Sequence, residues 1–102
     1  MNVAFIRHSA YIQQSIKKVA LCGGAGIFLL SEALRQGADA LITADVKYHD
    51  FFDAEGQLLI ADIGHYESEI GIKQLIYKKL SEKFSNIVLL QSTLRTNPVH
   101  YF

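Results

Sequence analysis

The chain has one cysteine, one proline, one methionine and no tryptophan among its 102 residues. Cys22 alone cannot form an internal disulfide or a cysteine-rich zinc site, which points to a reducing, cytoplasmic setting. There is no excess of charge of either sign, since ten basic residues balance ten acidic ones. A neutral chain lacks the basic footprint of a nucleic-acid binder, and no charged block suggests a membrane surface. Long hydrophobic runs are also missing. The longest, "VALCGGAGIFLL", falls short of the roughly 20 residues a membrane helix needs. The opening "MNVAFIRHSA" lacks the basic region, apolar core and cleavage site of a signal peptide.

What is present is apolar material: half of the residues are hydrophobic and a fifth are charged. That suffices for a real core in one domain, residues 1–102. "NVAFI", "KKVALC", "ADALITA", "QLLIADI" and "NIVLL" are short β-branched-rich runs that read as strands. "AGIFLLSEALRQG" carries Ile27, Leu30, Ala33 and Leu34 at helical spacing and ends at Gly37. "DVKYHDFFDAEG" reads as a short helical or irregular segment. A longer helix is expected from about His65 to Phe84, with Ile70, Ile72, Leu75, Ile76, Leu80 and Phe84 as its buried stripe. "QSTLRTNPVHYF" reads as a polar tail, where Pro98 opposes a helix. The order β-βα-βα-βα-β predicts an α/β fold, a layered α/β/α arrangement around a mostly parallel sheet buried on both faces.

Ligands of such sheets bind outside the carboxyl ends of the strands, which selects three junctions. The first holds Gly23, Gly24 and Gly26, suited either to a tight turn packed on other chain or to an anion at a helix start. It is neither a full dinucleotide fingerprint nor a Walker motif, and Cys22 there reads as a small buried hydrophobe. The second holds Asp45, Lys47, His49 and Asp50. Lys47 suits a phosphate and His49 proton transfer or a metal; the alternative is a helix cap at Asp45 with solvated charges behind it. The third is "IADIGHYESE". His65 and Glu69, four apart, share one helical face, and an imidazole with a carboxylate at that spacing can grip a divalent metal. The alternative has Glu67 and Glu69 complementing the helix dipole, with Tyr66 as packing. In a parallel sheet all three junctions share one edge, which gathers Asp45, Lys47, His49, Asp62, His65 and Glu69 around a cleft.

"VALCGGAG", "GADALITADVKYHDFF", "IADIGHYESE" and "TNPVHYF" together resemble the NIF-three-like family, known as dinuclear metal centre, hexameric proteins or GTP cyclohydrolase I type 2 homologues. The resemblance runs from Lys17 to Phe102 and corresponds to the family's C-terminal half. It implies two facing α/β halves, six chains in a toroid and two divalent metal ions in the cleft (zinc, manganese, iron or magnesium). The family's "GHxxxE" ligands match His65 and Glu69, and Asp45, Lys47 and His49 are carried over as catalytic-site residues. A His pair and an Asp of the family's other half have no counterpart here. The resemblance therefore implies a metal-dependent hydrolase acting on a nucleotide such as GTP, with an incomplete site in this chain. The alternative is a non-catalytic, self-associating assembly module.

Overall fold

The computed structural model describes residues 3–10 and 15–102, which form a mixed α/β fold with a four-stranded sheet in the order β1-β4-β3-β2. The strands are β1 (Arg7–His8), β2 (Val19–Ala25), β3 (Ala40–Ala44) and β4 (Leu59–Asp62). The sheet is mostly parallel: β2 pairs with β3 and β3 with β4 in parallel, while β1 joins β4 antiparallel. The helices are α1 (Leu30–Arg35), α2 (Tyr48–Asp53), α3 (His65–Glu69) and α4 (Gly71–Lys83). A single 3-10 turn, Ile27–Leu29, leads into α1. The chain divides into two compact units, Met1–Glu69 and Ile70–Phe102.

In the first unit Ala20, Leu41 and Ile60 stand side by side in register across β2, β3 and β4. They pack with Leu30, Ala33 and Leu34 of α1, Phe51 of α2, and Val46, Ala54 and Leu58 from the connections. This apolar layer is the core that the helical spacing of α1 predicts. α1 closes with a Schellman turn, Ala38 N–H to Ala33 O at 2.9 Å and Gly37 N–H to Leu34 O at 2.9 Å. At the start of the parallel pair, the Asp39 carboxylate accepts the Lys17 and Lys18 backbone N–H groups, each at 2.8 Å. Those bonds hold its pKa below the usual carboxylate value.

β1 departs from the expected "NVAFI" strand. Asn2 lies outside the described residues, and Val3–Ile6 form no strand; pairing starts only at Arg7 and His8. It forms there because side chains fasten it. Ser9 donates its N–H to Ile60 O at 3.0 Å, and its Oγ accepts the Ile60 N–H at 2.9 Å. Arg7 reaches both Asp62 and the Val46 carbonyl, the latter at 2.8 Å.

Asp62, only 5% exposed, has three partners. Its Oδ2 receives the Arg7 guanidinium and the Val46 N–H at 3.0 Å, and its Oδ1 receives the Gly64 N–H at 3.0 Å. One carboxylate thus ties β1 to both loops at the carboxyl edge of the sheet, and Asp62 faces into that joint, not into a cleft.

Burial is two-sided for β3 but not for β2, an edge strand whose Leu21 is 69% exposed. The expected helix is interrupted: α3 ends at Glu69, the last residue of the first unit, a turn follows at Ile70, and α4 begins at Gly71 in the second. The predicted apolar stripe of α4 is half exposed, Ile72 and Leu75 by 54% and 51%. Beside it lies an irregular segment held by Lys73 Nζ on Ser92 O (2.6 Å) and by Gln91 on Gln74 (3.2 Å). "NIVLL" is part of that segment and forms no strand, because its backbone joins no ladder. The proline-bearing tail is non-helical, as its sequence suggests.

Asp62→Ala is expected to destabilise the chain by about 2–3 kcal/mol, the scale of hydrogen bonds to a charged group. Urea unfolding of the variant beside the parent chain measures this, and an unchanged midpoint would refute the role given to Asp62.

Candidate functional site

Parallel pairing decides which residues meet. Thr43 is in register with Asp62. Two residues further along β3 and three further along β4 come Asp45 and His65, which emerge as neighbours past the strand ends. His65 opens α3, and its Nδ1 lies 2.6 Å from Asp45 Oδ2. Its Nε2 lies 3.4 Å from Glu69 Oε2, one helical turn on. The three side chains are about half exposed, 49% for His65, 53% for Asp45 and 54% for Glu69, so the group is open to solvent.

Gly23 and Gly24 of the first junction lie against this group. From Leu21 to Ala25, β2 advances four residues while its partner β3 advances two, from Ile42 to Ala44. The surplus makes a bulge, a distortion common at sheet edges and beside functional sites. Buried Thr43 pins it, donating to Gly24 O at 3.0 Å and accepting the Gly26 N–H at 2.8 Å. The Gly24 N–H goes to Ser68 Oγ at 2.8 Å, and Ser68 in turn donates to His65 O at 2.8 Å. Two N–H groups offered by the anion reading are therefore taken by Ser68 and Thr43. Gly24 has φ +66°, and a Cβ there would stand 2.6 Å from Glu69 Oε1 and 3.4 Å from His65 Nε2. Close approach of backbone to the His65–Glu69 pair explains this glycine.

The second junction divides. Asp45 joins the group, at φ +55°. It does not cap α2: the N-cap residue is Lys47, whose N–H donates to the Asp50 carboxylate at 2.9 Å. Lys47 and His49 are exposed, and among the described residues neither hydrogen-bonds to Asp45, His65 or Glu69. The His49 ring meets Tyr48 edge-on at 5.3 Å. Cys22 is half-buried and its Sγ lies 3.6 Å from Gly23 O. Arg7, Thr43 and Ser68 escaped the reading of the sequence. Their partners stand 55, 19 and 44 positions away, with no local pattern to mark them.

The hydrogen bond and charge of Asp45, then the charge of Glu69, raise the His65 pKa above its ordinary 6.5. A neutral imidazole with Nδ1–H on Asp45 turns its Nε2 lone pair toward the Glu69 carboxylate. Two negative faces opposed at that distance call for a cation between them, either a proton or a metal ion. The donors are one nitrogen and one carboxylate, a pair that fits a divalent metal in kind. In number it is short of the usual three or four, and among the described residues no three His, Cys, Asp or Glu side chains are arranged to hold one ion.

The sequence profile of the Duf34/NIF3 (NGG1p interacting factor 3) family matches residues 1–98. The chain belongs to this family. A GTP cyclohydrolase 1 type 2 homolog of Staphylococcus aureus (strain MSSA476) is 37% identical over 106 residues, covering 99% of this chain and 29% of the relative. A homolog of the same name from Staphylococcus epidermidis (strain ATCC 12228) is 34% identical over 105 residues, again 29% of its length. The crystal structure of Staphylococcus aureus protein SA1388 superposes with a TM-score of 0.79 at 34% identity, over 98% of this chain and 34% of that one. A Bacillus cereus protein related to NIF3 gives 0.75 at 30% identity, over 98% and 29%. The chain thus spans about a third or less of the length of these Duf34/NIF3 relatives. No helix among the described residues is long and apolar enough to cross a membrane.

Two outcomes are expected. Gly24→Ala is expected to cost about 1–2 kcal/mol, the penalty of a left-handed backbone with a Cβ, and to push the flexible Glu69 carboxylate aside. Urea unfolding, with the Glu69 side-chain carboxyl signal followed by NMR, checks both. In an NMR pH titration the His65 midpoint is expected above 6.5. Because its folded value is raised, the Asp45–His65 pair stabilises fully below the unfolded pKa of about 6.5. That contribution fades as pH rises through the folded value, and a midpoint at or below the ordinary value would contradict it.

Proposed function

We propose that this chain carries one half of a divalent-metal site in a metal-dependent hydrolase acting on a nucleotide-like substrate. The observation that supports it is the His65 Nε2 facing Glu69 while Nδ1 is held by Asp45. His65 and Glu69 would be the ligands, and the remaining donors would come from outside the described residues. Zinc, manganese, iron or magnesium, when bound, would supply Lewis acidity toward a phosphate or an electrophilic ring carbon.

The chain's own residues have separate tasks in this reading. Lys47, exposed at the start of α2, offers a cation to substrate negative charge. His49, two residues further on and exposed, offers an imidazole for proton transfer or substrate orientation. Asp45 holds His65. The names of the Staphylococcus relatives as GTP cyclohydrolase homologs favour a nucleotide substrate. The same reading takes the chain as the C-terminal, layered α/β/α half of a longer Duf34/NIF3 protein that assembles with its own kind in the cytoplasm. The half-exposed stripe of α4 supports self-association, since exposed apolar patches of that kind mark interfaces.

A second reading is favoured by the donor count. Two ligands do not complete a catalytic site, and a non-catalytic assembly module keeps the fold without the chemistry. Calorimetric titration of zinc or manganese into the 102-residue chain tests the first reading. Weak binding is expected, lost on dialysis against a chelator and abolished by His65→Ala and by Glu69→Ala. Equal binding by the parent chain and both variants would sink the metal site. Nucleotide turnover that disappears in both variants would select the hydrolase; a folded, assembled chain without turnover under any of these metals would select the module.

A further inference from the structure

We propose that Asp45 is a positioning residue that holds His65 in the tautomer with its proton on Nδ1, so that Nε2 presents its lone pair beside Glu69.

The argument starts from the backbone. Asp45 is the one residue other than glycine with positive φ among the described residues. Left-handed backbone is disfavoured for any residue with a Cβ, although aspartate and asparagine tolerate it better than most. The conformation is imposed from both sides. Ala44 before it is fully buried, and Val46 after it is clamped, N–H on Asp62 Oδ2 and carbonyl on Arg7. Glycine would occupy such a position with less strain, so the reason for aspartate lies in its side chain.

Structural duties for that carboxylate are already filled. α2 is capped by Lys47 and Asp50, and the tie between the loops is made by Asp62. Asp45 is also half exposed, so it does not serve packing. What remains is its contact with His65 Nδ1 at 2.6 Å, the distance of a charge-assisted hydrogen bond. A carboxylate accepts and cannot donate, so the bonded nitrogen is the one that carries hydrogen. In a neutral imidazole the other nitrogen is then bare. A carboxylate behind a ligating imidazole fixes ring orientation and raises ligand basicity in metal sites generally. This inference deepens the metal reading for the affinity it predicts, but the tautomer stands on the geometry alone.

Asp45→Gly removes the carboxylate and relieves the backbone, so the variant keeps its fold. The side-chain nitrogens of His65 are read by NMR in the metal-free 102-residue chain, at a pH high enough for the ring to be neutral. The parent chain is expected to show hydrogen on Nδ1, and Asp45→Gly to move it substantially to Nε2. Identical nitrogen shifts in the two chains would overturn the proposal. Zinc affinity, by calorimetry, is expected to fall 10–100-fold in Asp45→Gly, the usual effect of losing such a partner. An unchanged affinity, in a chain whose zinc binding is lost in His65→Ala, would also overturn it. If neither chain binds zinc but the hydrogen still moves, the metal reading fails and the assignment of Asp45 is upheld.

Discussion

The Asp62 carboxylate is the joint on which the carboxyl edge of the sheet depends. It ends β4 and is nearly buried, and its two oxygens are shared among an arginine from β1 and backbone N–H groups of the two loops that leave β3 and β4. A buried carboxylate is tolerable only with such partners. Once they are supplied, the paths of both loops are set. Val46 cannot shift without breaking its bonds to Asp62 and Arg7, and Gly64 cannot shift without leaving Oδ1 open. Asp45 and His65 are the residues next to those two anchors. Their short contact is therefore a consequence of a fixed frame, although both side chains are in solvent.

A second constraint closes the group from below. The β2 bulge brings Gly24 under the His65–Glu69 pair, and Thr43 holds it there from the adjacent strand. Ser68 adds a bond from α3 to the bulge. Three parallel strands thus each deliver one element to the same edge: a glycine floor from β2, a carboxylate from β3 and the helix bearing imidazole and carboxylate from β4. The gathering of side chains at the carboxyl ends has here a specific cause, which is the pinning of each strand end by hydrogen bonds.

The parts of this arrangement that were legible in the sequence are those with short-range signatures. β3 and β4 are apolar runs of ordinary strand length, α1 has its spacing and its glycine stop, and His65 with Glu69 is a contact between residues four apart. What was not legible depends on distant partners. β1 is short and stands on Arg7 and Ser9, whose bonds to Asp62 and Ile60 span more than fifty positions. Asp45 read either as a site residue or as a helix cap, and the choice depended on Asp50, which took the capping duty by reaching back to Lys47. "NIVLL" has the composition of a strand, yet composition cannot provide the ladder a strand needs. The apolar stripe of α4 was right as a pattern, but a pattern does not say what covers it.

Two aspartates at adjacent strand ends illustrate why residue type alone could not assign the site. Asp45 and Asp62 each follow an apolar strand, and each reads as a charge at a junction. The register separates them. Thr43 pairs with Asp62, so Asp45 lies beyond the end of its strand while Asp62 is still within the ladder. The aspartate inside the ladder is surrounded by backbone donors and becomes structural. The one beyond it, which among the described residues accepts from no backbone N–H, meets an imidazole instead. A shift of β3 by two residues against β4 would bring Asp45 level with Asp62 and remove the difference between them. What distinguishes the positioning carboxylate from the structural one is therefore the alignment of two strands, set by Leu41 and Ile60 packing side by side in the core.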